Sequence, residues 1–399
     1  MWHTKIVAAL ALSLMVASTV PAQEAQWREL DQQSLKLYQQ GKFGEAIQIG
    51  QRALEAAEAG FGPNHASVAT SLNNLAMLYK SQGKYAEAEP LYRRSLAITE
   101  KALGPEHPYV AASLNNLAEL YRARGKYAEA ETYMKRSLTI REKVLGPEHQ
   151  DTGQSLNNLA MLYVAQGKHA EAEPHIKRSL AITEKALGPE HPLVATSLNN
   201  LAEIYRMQGK YAEAEALYKR SLAIRDKEQG PEHPDLATSL NNLAVLYKSQ
   251  GKYAEAEPLY RRSLEIREKA LGPEHPDVAA SLNNLGELYG VQGKYAEAET
   301  YMKRSLEIKE KTQGPDHPSV ATSLNNLAEI YRVQGKYAEA EPLYKHSLTI
   351  KEKALGPEHS SVATTLDNLA RLYRKTGKSD EASKLEERAD KIKSQRQSR

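Results

Sequence analysis

An all-α solenoid of stacked helix pairs is the fold class this sequence predicts, and three observations predict it. Within 399 residues, Asn-Asn-Leu-Ala or a close variant begins at 73, 115, 157, 199, 241, 283, 325 and, as Asp-Asn-Leu-Ala, at 367, always 42 residues apart. Gly-Lys recurs in phase at 83, 125, 167, 209, 251, 293, 335 and 377, with an earlier copy at 41. Around each copy the apolar residues keep helical spacing, as Leu114, Leu117, Ala118 and Tyr121 do at i, i+3, i+4 and i+7. A helix pair with one stripe per helix cannot bury a core alone, so stacked pairs must share one. About nine pairs account for nearly the whole chain.

Composition narrows the function. Tyr (22) far outnumbers Phe (2) and Trp (2), and 53 basic side chains nearly balance 50 acidic ones. The formal net charge of +3 gives no field to steer the chain onto nucleic acid or an anionic membrane. With no cysteine, disulfides, thiolate catalysis and Cys-ligated zinc are excluded.

The elements follow in order. Met1-Trp-His-Thr-Lys5 carries positive charge, Ile6 to Val20 is a nearly unbroken apolar run, and Val20-Pro-Ala22 places small residues before polar Gln23-Glu24. That layout predicts a signal peptide over 1–22, cut near Ala22, and an exported protein, periplasmic or secreted. The apolar run is short for a membrane span, which takes ~20 residues. Residues 23–62 read as a degenerate first repeat, a cap in which Asp31-Gln32 replaces the asparagine pair and Trp27 lies near the helix start.

The tandem repeats occupy 63–378, and the unit beginning at Gly104 shows their grammar. Pro108 opens a helix, where its missing N–H costs nothing. Gly125-Lys126 stops that helix, because glycine accepts the left-handed conformation that ends one. A second helix then runs from Tyr127 to Leu145, with Ala130, Tyr133, Met134, Ser137 and Leu138 on its apolar side. Gly146-Pro147-Glu148-His149 closes it. Residues 379–399 read as a capping helix and basic tail, with Ser379, Glu386 and Asp390 standing where other repeats are apolar or aromatic.

Leu114, Leu117-Ala118, Tyr121, Gly125, Tyr127, Ala130 and Ser137 fall where the tetratricopeptide repeat places its signature residues. The 42-residue wording, with Gly-Lys-Tyr-Ala-Glu-Ala-Glu and Gly-Pro-Glu-His-Pro, resembles the repeats of kinesin light chains and their bacterial relatives. The resemblance covers about 25 to 393. It implies a right-handed superhelix whose first helices line a concave, peptide-receiving surface. It does not extend to motor coupling, since no heptad segment accompanies the repeats and the N-terminus carries an export signal.

On that implied surface the second asparagine of each pair forms a ladder: Asn74, Asn116, Asn158, Asn200, Asn242, Asn284, Asn326 and Asn368. An amide donates and accepts together, so such a ladder can hold the backbone of an extended peptide. The first asparagine, nearer the core, reads as a bond between adjacent helices. Three residues on, the chain varies through Met77, Glu119, Met161, Glu203, Val245, Glu287, Glu329 and Arg371. The flank varies through Lys80, Arg122, Val164, Arg206, Lys248, Gly290, Arg332 and Arg374. Glu119/Arg122, Glu203/Arg206 and Glu329/Arg332 read equally as solvated i,i+3 pairs or as ligand contacts. As contacts, they favour a protein partner with apolar and acidic residues in an extended segment.

Other recurrences read as scaffold. Dibasic pairs such as Lys135-Arg136 suggest a nucleic-acid stripe, yet Glu131 lies four residues earlier in the order that favours a helix ion pair. One histidine per inter-repeat turn reads as helix-entry chemistry rather than metal binding. No phosphate loop, nucleophile elbow, metal motif or cofactor site is present, so catalytic residues, cofactors and metals are all expected to be none. The chain therefore reads as a non-catalytic scaffold or adaptor that spans no membrane and binds no nucleic acid. The alternative reading is a self-assembling structural component of an exported or cell-envelope complex.

Overall fold

The computed structural model describes residues 21–397, and the proposed signal peptide falls almost wholly outside them. Among the described residues there are eighteen helices and no strand. They pair in chain order: α1 (Pro21–Gln39) with α2 (Phe43–Phe61), α3 (Ala66–Ser81) with α4 (Tyr85–Leu103), and α5 (Pro108–Ala123) with α6 (Tyr127–Leu145). Next come α7 (Gln150–Ala165) with α8 (His169–Leu187), α9 (Pro192–Met207) with α10 (Tyr211–Gln229), and α11 (Pro234–Ser249) with α12 (Tyr253–Leu271). The last three pairs are α13 (Pro276–Val291) with α14 (Tyr295–Gln313), α15 (Pro318–Val333) with α16 (Tyr337–Leu355), and α17 (Ser360–Lys375) with α18 (Ser379–Gln397). Two compact units result. One holds α1–α12; the other holds α13–α18 together with residues 82–84.

The turns explain the constant period. Gly125 sits at φ 70°, with its N–H on Arg122 O and the next N–H, from Lys126, on Tyr121 O at 2.9 Å. These are the two bonds of a Schellman ending, which leaves the chain ready to start α6 after a single residue. Gly146 takes φ 97° with ψ 159°, a region that side chains avoid.

Small residues then set how closely the two helices of a pair approach. Ala118 and Ala130 are wholly buried. Ser137, also wholly buried, donates its hydroxyl to Ala111 O at 2.8 Å. The same serine-to-carbonyl bond recurs from Ser95, Ser221, Ser263, Ser305 and Ser347. Serine is thus placed where an alanine would leave a gap in the bonding and a larger residue would force the helices apart.

Each end departs from the pattern in a way that satisfies its own groups. Trp27 donates to Ser71 Oγ at 2.8 Å and meets Phe61 edge-on at 5.9 Å, covering the first joint. On α18, Glu386 pairs with Arg374 at 2.6 Å and Asp390 with Lys393 at 3.1 Å, leaving a polar outer side.

Candidate functional site

The asparagine ladder exists, but it is turned inward on the protein. Asn116 donates its amide to Asn73 Oδ1 at 2.8 Å, Asn158 to Asn115 at 2.7 Å and Asn200 to Asn157 at 2.7 Å. In the second unit Asn326 donates to Asn283 at 3.2 Å and Asn368 to Asn325 at 3.0 Å. Every one of these bonds spans 43 residues, from the second asparagine of one repeat to the first of the repeat before. At the first joint Asp31 supplies the missing acceptor, taking the Asn74 amide at 2.9 Å. Burial pushes its carboxyl above the ordinary range, and the Asn74 bond opposes that shift.

The expectation that the second amides stand ready for a ligand is therefore corrected. Asn73, Asn115, Asn157, Asn283 and Asn325 bond between neighbouring helices, and the second asparagine of the following repeat is the partner of each. Asn74, Asn158 and Asn368 are buried, and Asn116, Asn200, Asn242, Asn284 and Asn326 are half-buried. The pattern is interrupted where Asn199 donates to Ser239 Oγ at 3.0 Å. Asn242 accepts a longer bond from its neighbour Asn241.

Most of the variable positions are partly exposed beside this ladder, while Met77 is buried. Glu119–Arg122, Glu203–Arg206 and Glu329–Arg332 are ion pairs at 2.8, 2.6 and 2.5 Å. Glu203 and Glu329 also accept the Tyr218 and Tyr344 hydroxyls at 3.0 and 2.7 Å. These pairs are held from two helices, which makes them more rigid than isolated i,i+3 pairs. Lys248 is half-buried at the same flank. Glu287 differs. At i+3 it has Gly290, where a Cβ would lie 2.8 Å from Ile330 Cδ1. Its carboxylate accepts the Asn283 and Asn326 amides instead, at 2.8 and 3.0 Å. On the same side of their helices Met207, Val291 and Val333 are 46, 57 and 41% exposed, which leaves apolar surface next to charge.

Two structural roles escaped sequence reasoning. The glutamate of each dibasic helix is a hub rather than one half of a pair. Glu173 receives Lys177 at 2.6 Å in its own helix, then Gln208 at 3.0 Å and Lys210 at 3.4 Å from the next repeat. Lys210 also lies over the Tyr205 ring, 5.0 Å from its centre. Glu341 repeats this with Lys345, Lys378 and Tyr373. The lysine of Gly-Lys is the readable signal, since it always falls 37 residues after that glutamate.

Hydrogen bonds from these ammonium groups, Lys177 and Lys345 first, hold the Glu173 and Glu341 carboxyls down to about 2. A carboxyl lowered in the folded state stabilises above its unfolded value and loses that contribution as pH falls through the folded one. Stability is expected to drop between about pH 4.5 and 2, and a Glu173→Gln/Glu341→Gln protein should show a shallower drop in acid melts.

The second role belongs to buried cations that follow the last isoleucine in five of the second helices: Arg141, Arg225, Arg267, Lys309 and Lys351. Arg141 donates to Asp151 O and Ser155 Oγ at 2.8 and 3.0 Å. Lys309 reaches Ser323 Oγ and Lys351 reaches Thr365 Oγ1, both at 2.7 Å. Burial pulls both lysines down to about 8, with Glu287 opposing the shift at Lys309.

The dibasic residues of the second helices are engaged on the scaffold, as one pair shows. Lys135 pairs with Glu131 at 2.6 Å, while Arg136 bridges Glu100 at 2.7 Å and the carbonyl of Pro105. Each turn histidine caps the helix it precedes, its Nδ1 accepting the N–H two residues on at 3.0–3.2 Å. Among the described residues no group of three or more His, Asp or Glu side chains is placed to hold a metal ion.

Comparison with known proteins agrees with this geometry. The family model described as Tetratricopeptide repeat matches in eight overlapping stretches: 35–101, 68–143, 109–185, 151–227, 194–269, 235–311, 277–353 and 319–394. The chain is similar to solved TPR-like repeats described as kinesin light chain from Podosopora anserina, at 33% identity over 52% of this chain and 98% of that one, TM-score 0.43. It is also similar to BtubC (BKLC) from P. vanneervenii, at 25% identity over 63% of this chain and 94% of that one, TM-score 0.45. No curated protein matches the chain. With the model matched from 35 to 394 and helix pairs throughout, this chain belongs to the tetratricopeptide repeat family.

Proposed function

We propose that this protein is a non-catalytic scaffold that binds an extended segment of a partner along the ladder-bearing sides of its first helices. One observation carries the reading. Scaffold residues are nearly identical from repeat to repeat and bonded to one another, whereas the partly exposed residues beside them change: Glu119, Met161, Glu203, Val245, Glu287. Recognition then runs through side chains rather than through asparagine amides. Exposed Met207, Val291 and Val333 beside Arg206 and Arg332 favour a segment that mixes apolar and acidic residues. Export after cleavage near Ala22 belongs to the same proposal, and N-terminal sequencing of fractionated protein tests it. Among the described residues no helix is long and apolar enough to cross a membrane. Self-assembly through the ends is less favoured, because α18 turns Glu386 and Asp390 outward, and sedimentation across concentrations tests it.

The binding test exchanges charges within one pair. Glu203→Arg with Arg206→Glu retains an i,i+3 pair but inverts the pattern met by a ligand. Binding to arrayed extended peptides of apolar and acidic residues is expected to weaken about tenfold, which is ~1.4 kcal/mol. Added salt is expected to weaken the native complex. Unchanged affinity in the exchanged protein would exclude the Glu203–Arg206 surface from recognition.

A further inference from the structure

We propose that the turns between repeats form an acid-sensitive latch, released when the capping histidines are protonated. Eight imidazoles, His65, His107, His149, His191, His233, His275, His317 and His359, use Nδ1 as an acceptor for the backbone N–H two residues on. This geometry requires the proton on Nε2. An imidazolium carries a proton on both nitrogens and accepts from neither. Protonation therefore removes the side-chain cap from a helix start and leaves its amide without that acceptor. It also adds positive charge at the positive end of the helix.

The turns do not respond equally. Asp151, Asp235 and Asp277 bring carboxylates to 4.0, 3.9 and 3.9 Å from His149, His233 and His275. In those turns an imidazolium gains an ion pair as it loses the cap. Tyr109 and Leu193 stand at the corresponding places after His107 and His191, and the rings of His107 and Tyr109 stack at 5.1 Å. Ser319 and Ser361 follow His317 and His359, each with its hydroxyl 2.8 Å from Nδ1.

The other charged groups at these four turns are largely engaged in pairs. Glu106 is held by Lys143 and Glu190 by Lys227, while Arg136 holds Glu100 and Arg220 holds Glu184. Asp316 pairs with Lys353 of α16, and Arg388 of α18 holds Glu352 of α16. Of the side-chain types at these turns, imidazole is the one whose ordinary pKa, about 6.5, falls between pH 7.5 and 5.

In a stacked array each repeat is stabilised mainly by its neighbours, so uncapping several joints together weakens the whole array. Asparagine tests this, since it caps a helix well and does not titrate. The full chain is melted at pH 7.5 and pH 5.0 beside a protein carrying His107→Asn, His191→Asn, His317→Asn and His359→Asn. The native protein is expected to lose about 5 °C in Tm on acidification, and the substituted protein less than half of that. As a second measurement, hydrogen exchange at the Tyr109, Leu193, Ser319 and Ser361 amides, corrected for intrinsic rates, is expected to speed up in acid more than at Asp151 and Asp235. Equal Tm losses in both proteins, or equal exchange at the two sets of amides, would overturn the proposal.

Discussion

Replacing Asn157 and Asn158 together by alanine is expected to lower the thermal midpoint by several degrees. Asn157 is the acceptor for Asn200, and Asn158 is the donor to Asn115, so the double change cuts the ladder on both sides of α7. It strands a donor on Asn200 and an acceptor on buried Asn115. Each buried group left unbonded costs about 1–3 kcal/mol. Alanine returns no more than ~0.7 kcal/mol per position through its better helix propensity. A net loss of about 2–3 kcal/mol follows from these terms. Amides held in reserve for a ligand would give the opposite sign, a slightly more stable protein with weaker binding. Because a repeat array need not unfold in one step, the comparison belongs on complete melting curves.

Replacing Lys309 and Lys351 by threonine is expected to have the reverse effect, a gain of about 1–3 kcal/mol near neutral pH. The chain already contains this solution. Thr99 and Thr183 occupy the same register in other repeats, each donating to a carbonyl of its own helix at 2.8 Å. A lysine held at about 8 in the fold binds its proton less readily there than in the unfolded chain. The penalty is complete below the folded value and fades as pH rises toward the ordinary lysine value near 10.4. The native protein should therefore become more stable between pH 8 and 10 relative to the threonine variant. A constant difference across that range would mean the ammonium charges are compensated in some other way.

The helices were legible because their punctuation is local. Pro108, Gly125 and Gly146 act on the residues beside them, and α5 and α6 begin and end where those residues place them. The histidine caps and the Glu131–Lys135 ion pair were legible for the same reason, each lying within four residues. The partner of each second asparagine was not, because it lies 43 residues away and only the pitch of the stack decides whether the amides meet. The buried lysines were hidden differently. Lysine after isoleucine in an amphipathic helix reads as surface, until the next repeat's first helix covers it.

The offsets of the bonds carry one more consequence. Where these bonds form, asparagine reaches back 43 residues, tyrosine 32, the Gly-Lys lysine 37 and the turn-binding arginine 31. Blocks joined by these bonds therefore meet like chemistry on both sides. Recombination that removes or duplicates 42 residues in phase would splice one valid junction onto another and leave the two capping ends untouched. A single inserted residue would disturb all four bonds at one joint. Genes for such a chain can change length in whole blocks, and the reach of the protein can evolve without any new contact being devised.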